Sequence, residues 1–95
     1  MPIIQVLTFR TEPGTADAFM AGFSPIIAAV RKESGCERYE LYRAVDEADR
    51  FVMLERWTDQ AALDAALKLF PGRDQPSVAF LKHLAGPPVR ERYEV

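Results

Sequence analysis

Few side chains in these 95 residues are equipped for chemistry, and each has a structural alternative. His83 is the single histidine, and imidazole is the only side chain whose unperturbed pKa lies near neutrality, so it is a candidate general base. The alternative is a surface residue on a short helix, flanked by Leu81 and Leu84. Trp57, the only tryptophan, shares a strand face with Phe51, Met53 and Glu55, where it either stacks on an aromatic ligand or packs the core. Tyr39, Tyr42 and Tyr93 can donate hydrogen bonds to a carbonyl oxygen, and Arg43 can stabilise an oxyanion. Tyr39 and Tyr42 point to opposite strand faces, so one cavity takes at most one of them. Glu55 is a candidate buried carboxylate that an arginine such as Arg38 or Arg43 would neutralise. Phe23 falls with Phe19, Phe70 and Phe80 among the predicted core aromatics, from which it can also touch a ligand. Cys36 follows a helix C-terminus, where the dipole does not lower a thiol pKa.

The elements that position these groups follow from periodicity. Ile3–Arg10 is short and rich in β-branched residues, with Ile3, Leu7 and Phe9 on one face and Ile4, Val6 and Thr8 on the other. Both faces are apolar, so this strand expects cover on both sides. Thr15 is a predicted N-cap for a helix from Ala16 to about Glu33, with Phe19, Phe23, Ile26 or Ile27, and Val30 at helical spacing, a kink near Gly22 to Pro25 rather than two separate helices, and a stop at Gly35. Strands 37–44 and 50–58 form a hairpin around an acidic turn. Thr58 or Asp59 caps a second helix carrying Ala62, Leu63, Ala66, Leu67 and Phe70, broken by Pro71-Gly72. Pro76 opens a short helix to Ala85 with Val78, Leu81 and Leu84, and Val89–Val95 alternates as a fourth strand. The order β-α-β-β-α-(α)-β predicts one ferredoxin-like α+β domain over 1–95, a four-stranded antiparallel sheet with helices on one face.

Composition narrows the function. With 48% hydrophobic and 27% charged residues the chain is an ordinary globular sequence. Its net charge of −2 and scattered basic residues give no footprint for nucleic acid. No run approaches the roughly 18 apolar residues of a membrane span and the N-terminus carries no signal pattern, so a cytoplasmic location is expected. One cysteine excludes an internal disulfide and no cluster has metal-ligand spacing. Two helices cover one sheet face only, and each large apolar side chain left in water forfeits roughly 1.5–3 kcal/mol. A second copy packed sheet to sheet is the predicted remedy.

The words Pro13-Gly14-Thr15-Ala16, Glu33-Ser34-Gly35-Cys36, Tyr39-Glu40-Leu41-Tyr42-Arg43, Arg50-Phe51-Val52-Met53-Leu54-Glu55-Arg56-Trp57 and Ala62-Leu63-Asp64 stand in this order and spacing. In them the chain resembles the antibiotic biosynthesis monooxygenase family of dimeric α+β barrels. The resemblance implies a homodimer with a cavity in each subunit between helices and sheet. It also implies oxidation of a phenol, anthrone or quinol by dioxygen without flavin, metal or other cofactor. On that reading His83 is the base, with Arg43 and Tyr39 on the substrate anion and Trp57, Tyr42 and Phe23 on its ring. A histidine that many members carry in the second helix is replaced by Ala66. The haem-degrading branch fits less well, because Leu7 and Ala66 stand where that branch has asparagine and tryptophan and only His83 matches. The alternative, favoured by Ala66, is a non-catalytic dimeric module of the same fold that binds a small molecule or serves a stress-related role.

Overall fold

A computed structural model describes residues 1–68 and 76–95, with side chains in the second segment from Ala79 onward. Strand β1 (Ile3–Arg10), helix α1 (Ala16–Val30), strands β2 (Cys36–Arg43) and β3 (Arg50–Trp57), helix α2 (Gln60–Leu67), a 3₁₀ helix (Pro76–His83) and strand β4 (Val89–Glu94) follow in the predicted order. The four strands form one antiparallel sheet in the order β2-β3-β1-β4. This is the ferredoxin-like α+β arrangement, with the first and third strands central.

The register decides which face meets the helices. Ile3, Gln5, Leu7 and Phe9 of β1 lie opposite Trp57, Glu55, Met53 and Phe51 of β3, and Tyr39 of β2 lies opposite Glu55. Apart from the half-buried Leu7, all of these are buried. From the helices, Phe19, Phe23 and Val30 of α1 and Leu63 and Ala66 of α2 close on that face, together with Phe80. The phenylalanines interlock: Phe19 meets Phe9, Phe51 and Phe80 at centroid distances of 5.7, 5.3 and 5.7 Å, and Phe23 stacks on Phe80 at 4.6 Å. Such pairs add about 0.5–1.5 kcal/mol each beyond burial. The 3₁₀ helix approaches α1 closely because Gly22 has no side chain; a Cβ there would lie 2.5 Å from Cβ of Phe80.

Local expectations are refined in four places. Thr15 holds the N-cap position of α1, its carbonyl accepting the Phe19 N–H (2.9 Å), but its side chain makes no capping bond; the hydroxyl donates to the Glu12 carbonyl (2.7 Å), tightening the Pro13-Gly14 turn. One continuous helix runs through Pro25 and ends at Val30, earlier than the spacing suggested. Gly35 then takes φ +87°, the left-handed conformation that carries the chain into β2. Asp59 is the cap of α2, accepting the Ala62 N–H at 2.8 Å. The last helix is 3₁₀ and stops at His83, because Leu84 leaves it to bridge Thr11. Phe70 and the break at Pro71-Gly72 lie outside the described residues, as does the side chain of Val78.

The opposite face carries Ile4, Val6 and Thr8 of β1, Val52, Leu54 and Arg56 of β3, Arg38, Glu40 and Tyr42 of β2, and Val89, Glu91 and Tyr93 of β4. No described helix covers it. Its centre is half-buried and apolar, while Val89 and Tyr93 are exposed.

Candidate functional site

Between the sheet and the helices lies a cavity of about 230 Å³. Its floor is formed by Gln5, Leu7 and Phe9 of β1, Tyr39 of β2 and Glu55 and Trp57 of β3. Phe23 and Val30 of α1, Leu63, Ala66 and Leu67 of α2, and Leu81, Leu84, Pro88 and Arg90 complete the walls. Its walls are therefore almost wholly apolar, with a few polar groups converging on the floor, the usual constitution of a small-molecule site.

The polar groups form one chain of hydrogen bonds. Arg92 Nε donates to Gln5 Oε1 (2.6 Å), Gln5 Nε2 donates to Glu55 Oε2 (3.1 Å), and Trp57 Nε1 donates to Glu55 Oε1 (3.0 Å). The strands impose this geometry: Arg92 lies opposite Gln5, and Gln5 opposite Glu55. Glu55 is 3% exposed. Burial raises its pKa above the usual carboxylate range, and the bonds from Trp57 and Gln5, with the fields of Arg90 and Arg92, only partly oppose that rise. Each Glu55 oxygen accepts one bond, so the carboxylate keeps acceptor capacity for a further donor. The Arg38 and Arg43 partnership expected for Glu55 is not formed. Arg38 pairs with Glu40 (2.9 Å) and Arg43 with Asp17 (3.1 Å).

Tyr39 stands beside this carboxylate, in edge contact with Trp57 (centroids 6.3 Å) and Phe23 (6.5 Å). Burial first, and then the neighbouring Glu55, push its phenol pKa far up, so it remains a neutral hydrogen-bond donor. Its hydroxyl has no hydrogen-bond partner among the described residues. Burial likewise raises the Cys36 thiol, in keeping with an unreactive cysteine.

Three of the six sequence-predicted site residues, Tyr39, Trp57 and Phe23, are thus brought together in one cavity. The other three lie elsewhere. Arg43 bonds the Ala48 carbonyl (2.8 Å), pairs with Asp17 and sits 5.7 Å from the Phe51 ring centroid. Tyr42 is on the open face, bonding Glu40. His83 is half-buried beside the cavity wall without lining it, and its carbonyl accepts the Glu12 N–H (2.8 Å). Leu7 and Ala66, the two departures from the haem-degrading pattern, both form cavity wall. Gln5, Arg90 and Arg92 escaped sequence reasoning, although Gln5 carried a signal: it is the one strongly polar residue in phase with Ile3, Leu7 and Phe9.

Comparison with known proteins adds the context. The model of the family described as antibiotic biosynthesis monooxygenase matches residues 2–69. YcnE of Bacillus subtilis, assigned as a monooxygenase, is 33% identical over 54 residues, which are 57% of this chain and 57% of YcnE. An uncharacterised Synechocystis protein is 32% identical over 63 residues, 66% of this chain and 43% of its own length. The chain thus spans only about half the length of these two relatives. Among solved structures, one from Caulobacter crescentus assigned to the same family superposes with TM-score 0.87 at 28% identity, covering 99% of this chain and 89% of the other. SnoaB of Streptomyces nogalater, a cofactor-independent oxygenase, superposes with TM-score 0.80 at 21% identity over 99% and 92% of the two chains, a likeness of fold.

Proposed function

The chain belongs to the antibiotic biosynthesis monooxygenase family, and on that premise we propose that it is a cofactor-independent monooxygenase of phenols or quinols with Glu55 as the base. The observation that carries this reading is a buried carboxylate of raised proton affinity, accessible from an aromatic-walled cavity. Its size supports a ring system smaller than an anthrone. A cavity of roughly 150 Å³ holds benzene, and 230 Å³ suits one or two fused rings.

A phenolic O–H ionises near pH 10 in water, so a base whose pKa has moved upward toward that value transfers the proton more readily. Glu55 takes the proton, Tyr39 donates to the substrate oxygen, and Trp57 and Phe23 hold the ring. The anion gives one electron to dioxygen; recombination at the ring carbon para to the oxygen yields a peroxide, and loss of water leaves a carbonyl. For 1-naphthol the balance is naphthol plus dioxygen to 1,4-naphthoquinone plus water, with no external reductant. The apolar walls exclude bulk water from the anion. His83, the base expected from its type, does not line the cavity, so Glu55 takes that role here. The proposal includes a homodimer joined through the open sheet face, which would cover Val6, Leu54 and their neighbours.

The test is dioxygen uptake by metal-free, flavin-free protein with one-, two- and three-ring phenols and quinols. Uptake above buffer, greatest for the smaller rings, is expected. It should fall about 10²–10⁴-fold in Glu55→Gln, the range of a general base, and change little in His83→Ala. Buffer-level uptake across the panel would refute the activity. Retained binding of the same compounds would then favour the binding module that Ala66, in the cavity wall, already suggests.

A further inference from the structure

Strand β4 turns its arginines, not its apolar members, beneath the helices. Its apolar members Val89 and Tyr93 lie opposite Thr8 and Ile4 on the open face, while Arg90, Arg92 and Glu94 lie opposite Leu7, Gln5 and Ile3 on the face beneath the helices. Arg92 bonds Gln5. Arg90 lines the cavity, yet it has no ion pair or side-chain hydrogen bond among the described residues. The one carboxylate in the lining, Glu55, is held by Trp57 and Gln5 instead. Glu55 and Arg90 stand on β3 and β4 with β1 between them. Two strand spacings of about 4.7–4.9 Å separate their backbones across the sheet, and Arg90, opposite Leu7, is offset by two residues along β1 from Glu55, opposite Gln5, so the two groups stand apart at different parts of the cavity lining.

We propose that the cavity selects aromatic ligands bearing an oxyanion, with Arg90 as the residue that receives it. This rests on the reading of the cavity as an aromatic site and adds the charge of its ligand. The ring lies over Trp57 and Tyr39 and the anionic substituent projects toward β4, away from Glu55. A guanidinium offers a carboxylate two parallel donors, a geometry that a neutral amide of the same shape cannot accept. Apolar walls on either side strengthen the pair relative to one in open water, though the exposure of Arg90 keeps its effect moderate.

The pair 1-naphthoate and 1-naphthamide tests this by calorimetry at pH 7. The indole N–H resonance of the single tryptophan, Trp57, reports in parallel whether each compound occupies the cavity. The carboxylate is expected to bind about tenfold more tightly than the amide, the scale of one charge-assisted pair at a partly exposed rim. In Arg90→Gln the carboxylate and the amide should bind equally; in Arg90→Lys part of the preference should return. Equal binding in the wild type, or a preference that survives Arg90→Gln, would overturn the inference and leave the aromatic site standing. Failure of both compounds to move the Trp57 resonance would overturn the inference and the aromatic reading together.

Discussion

The chain from Arg92 through Gln5 to Glu55 and Trp57 has a direction, and that direction can be tested by Glu55→Gln. Arg92 Nε and Trp57 Nε1 are donors only, so Gln5 must present its oxygen to Arg92 and its amide nitrogen to residue 55. Residue 55 must then accept on both sides. An amide there can accept from Trp57, but its NH₂ meets the NH₂ of Gln5; if Gln5 turns over, its NH₂ meets the Arg92 N–H. Either way one buried donor loses its acceptor, at a cost of about 1–3 kcal/mol. Removing the carboxylate also relieves its desolvation, which works in the opposite direction. A double-mutant cycle removes the burial part of that relief, which is common to E55Q with and without Arg92; the field of Arg92 on the carboxylate adds to the coupling with the same sign as the mismatch. In Arg92→Met, Gln5 is released to turn its oxygen toward the amide at 55, and the mismatch disappears. Urea unfolding followed by Trp57 emission at pH 7 should therefore give E55Q and R92M effects that are not additive, the double variant being more stable than their sum by about 1–2 kcal/mol. Additivity within about 0.5 kcal/mol would refute the directional chain.

Burial raises the Glu55 pKa, so the folded state holds this proton to higher pH than the unfolded chain does. Its contribution to stability is full below the unfolded carboxylate range, near pH ~4.3, and is lost as pH rises through the folded value; the difference between wild type and E55Q in urea midpoint should follow that course between pH 4 and 8. Gly35→Ala meets both a positive φ and a Cβ 2.6 Å from Ala62 Cβ, and should destabilise by about 2–5 kcal/mol in denaturant unfolding. Leu54→Glu, in the middle of the open sheet face, should halve the mass in light scattering; a wild-type mass equal to one chain would remove the homodimer from the proposal.

Alternation and helical spacing made the element order, the hairpin faces and most of the aromatic core legible, because burial acts on whole faces and leaves a period in the sequence. Alternation also separated Tyr39 from Tyr42, but only the register showed that Tyr39 is the one on the cavity side. What the sequence concealed depends on register. Sequence cannot show that β1 sets Gln5 beside Glu55 on one side and Arg92 on the other, since those partners are 50 and 87 residues away. Likewise, β4 alternates whichever face is turned inward, so its pattern alone did not reveal that the arginines point to the cavity. The emphasis on His83 came from residue type; the structure sets it beside the cavity wall, whereas the buried carboxylate in the lining is Glu55.

The free edges of the sheet also bear on how copies of this chain can meet. β2 and β4, the outer strands, carry Arg38, Glu40 and Arg43 and, on the other side, Arg90, Glu91, Arg92 and Glu94. A strand adding to either edge would have to strip water from these charges, a common defence against end-to-end growth into fibres. The central strands present Val6 and Leu54 on the open face without such a barrier. In the proposed homodimer, edges that resist pairing and a face that offers Val6 and Leu54 would favour a closed pair over open-ended growth.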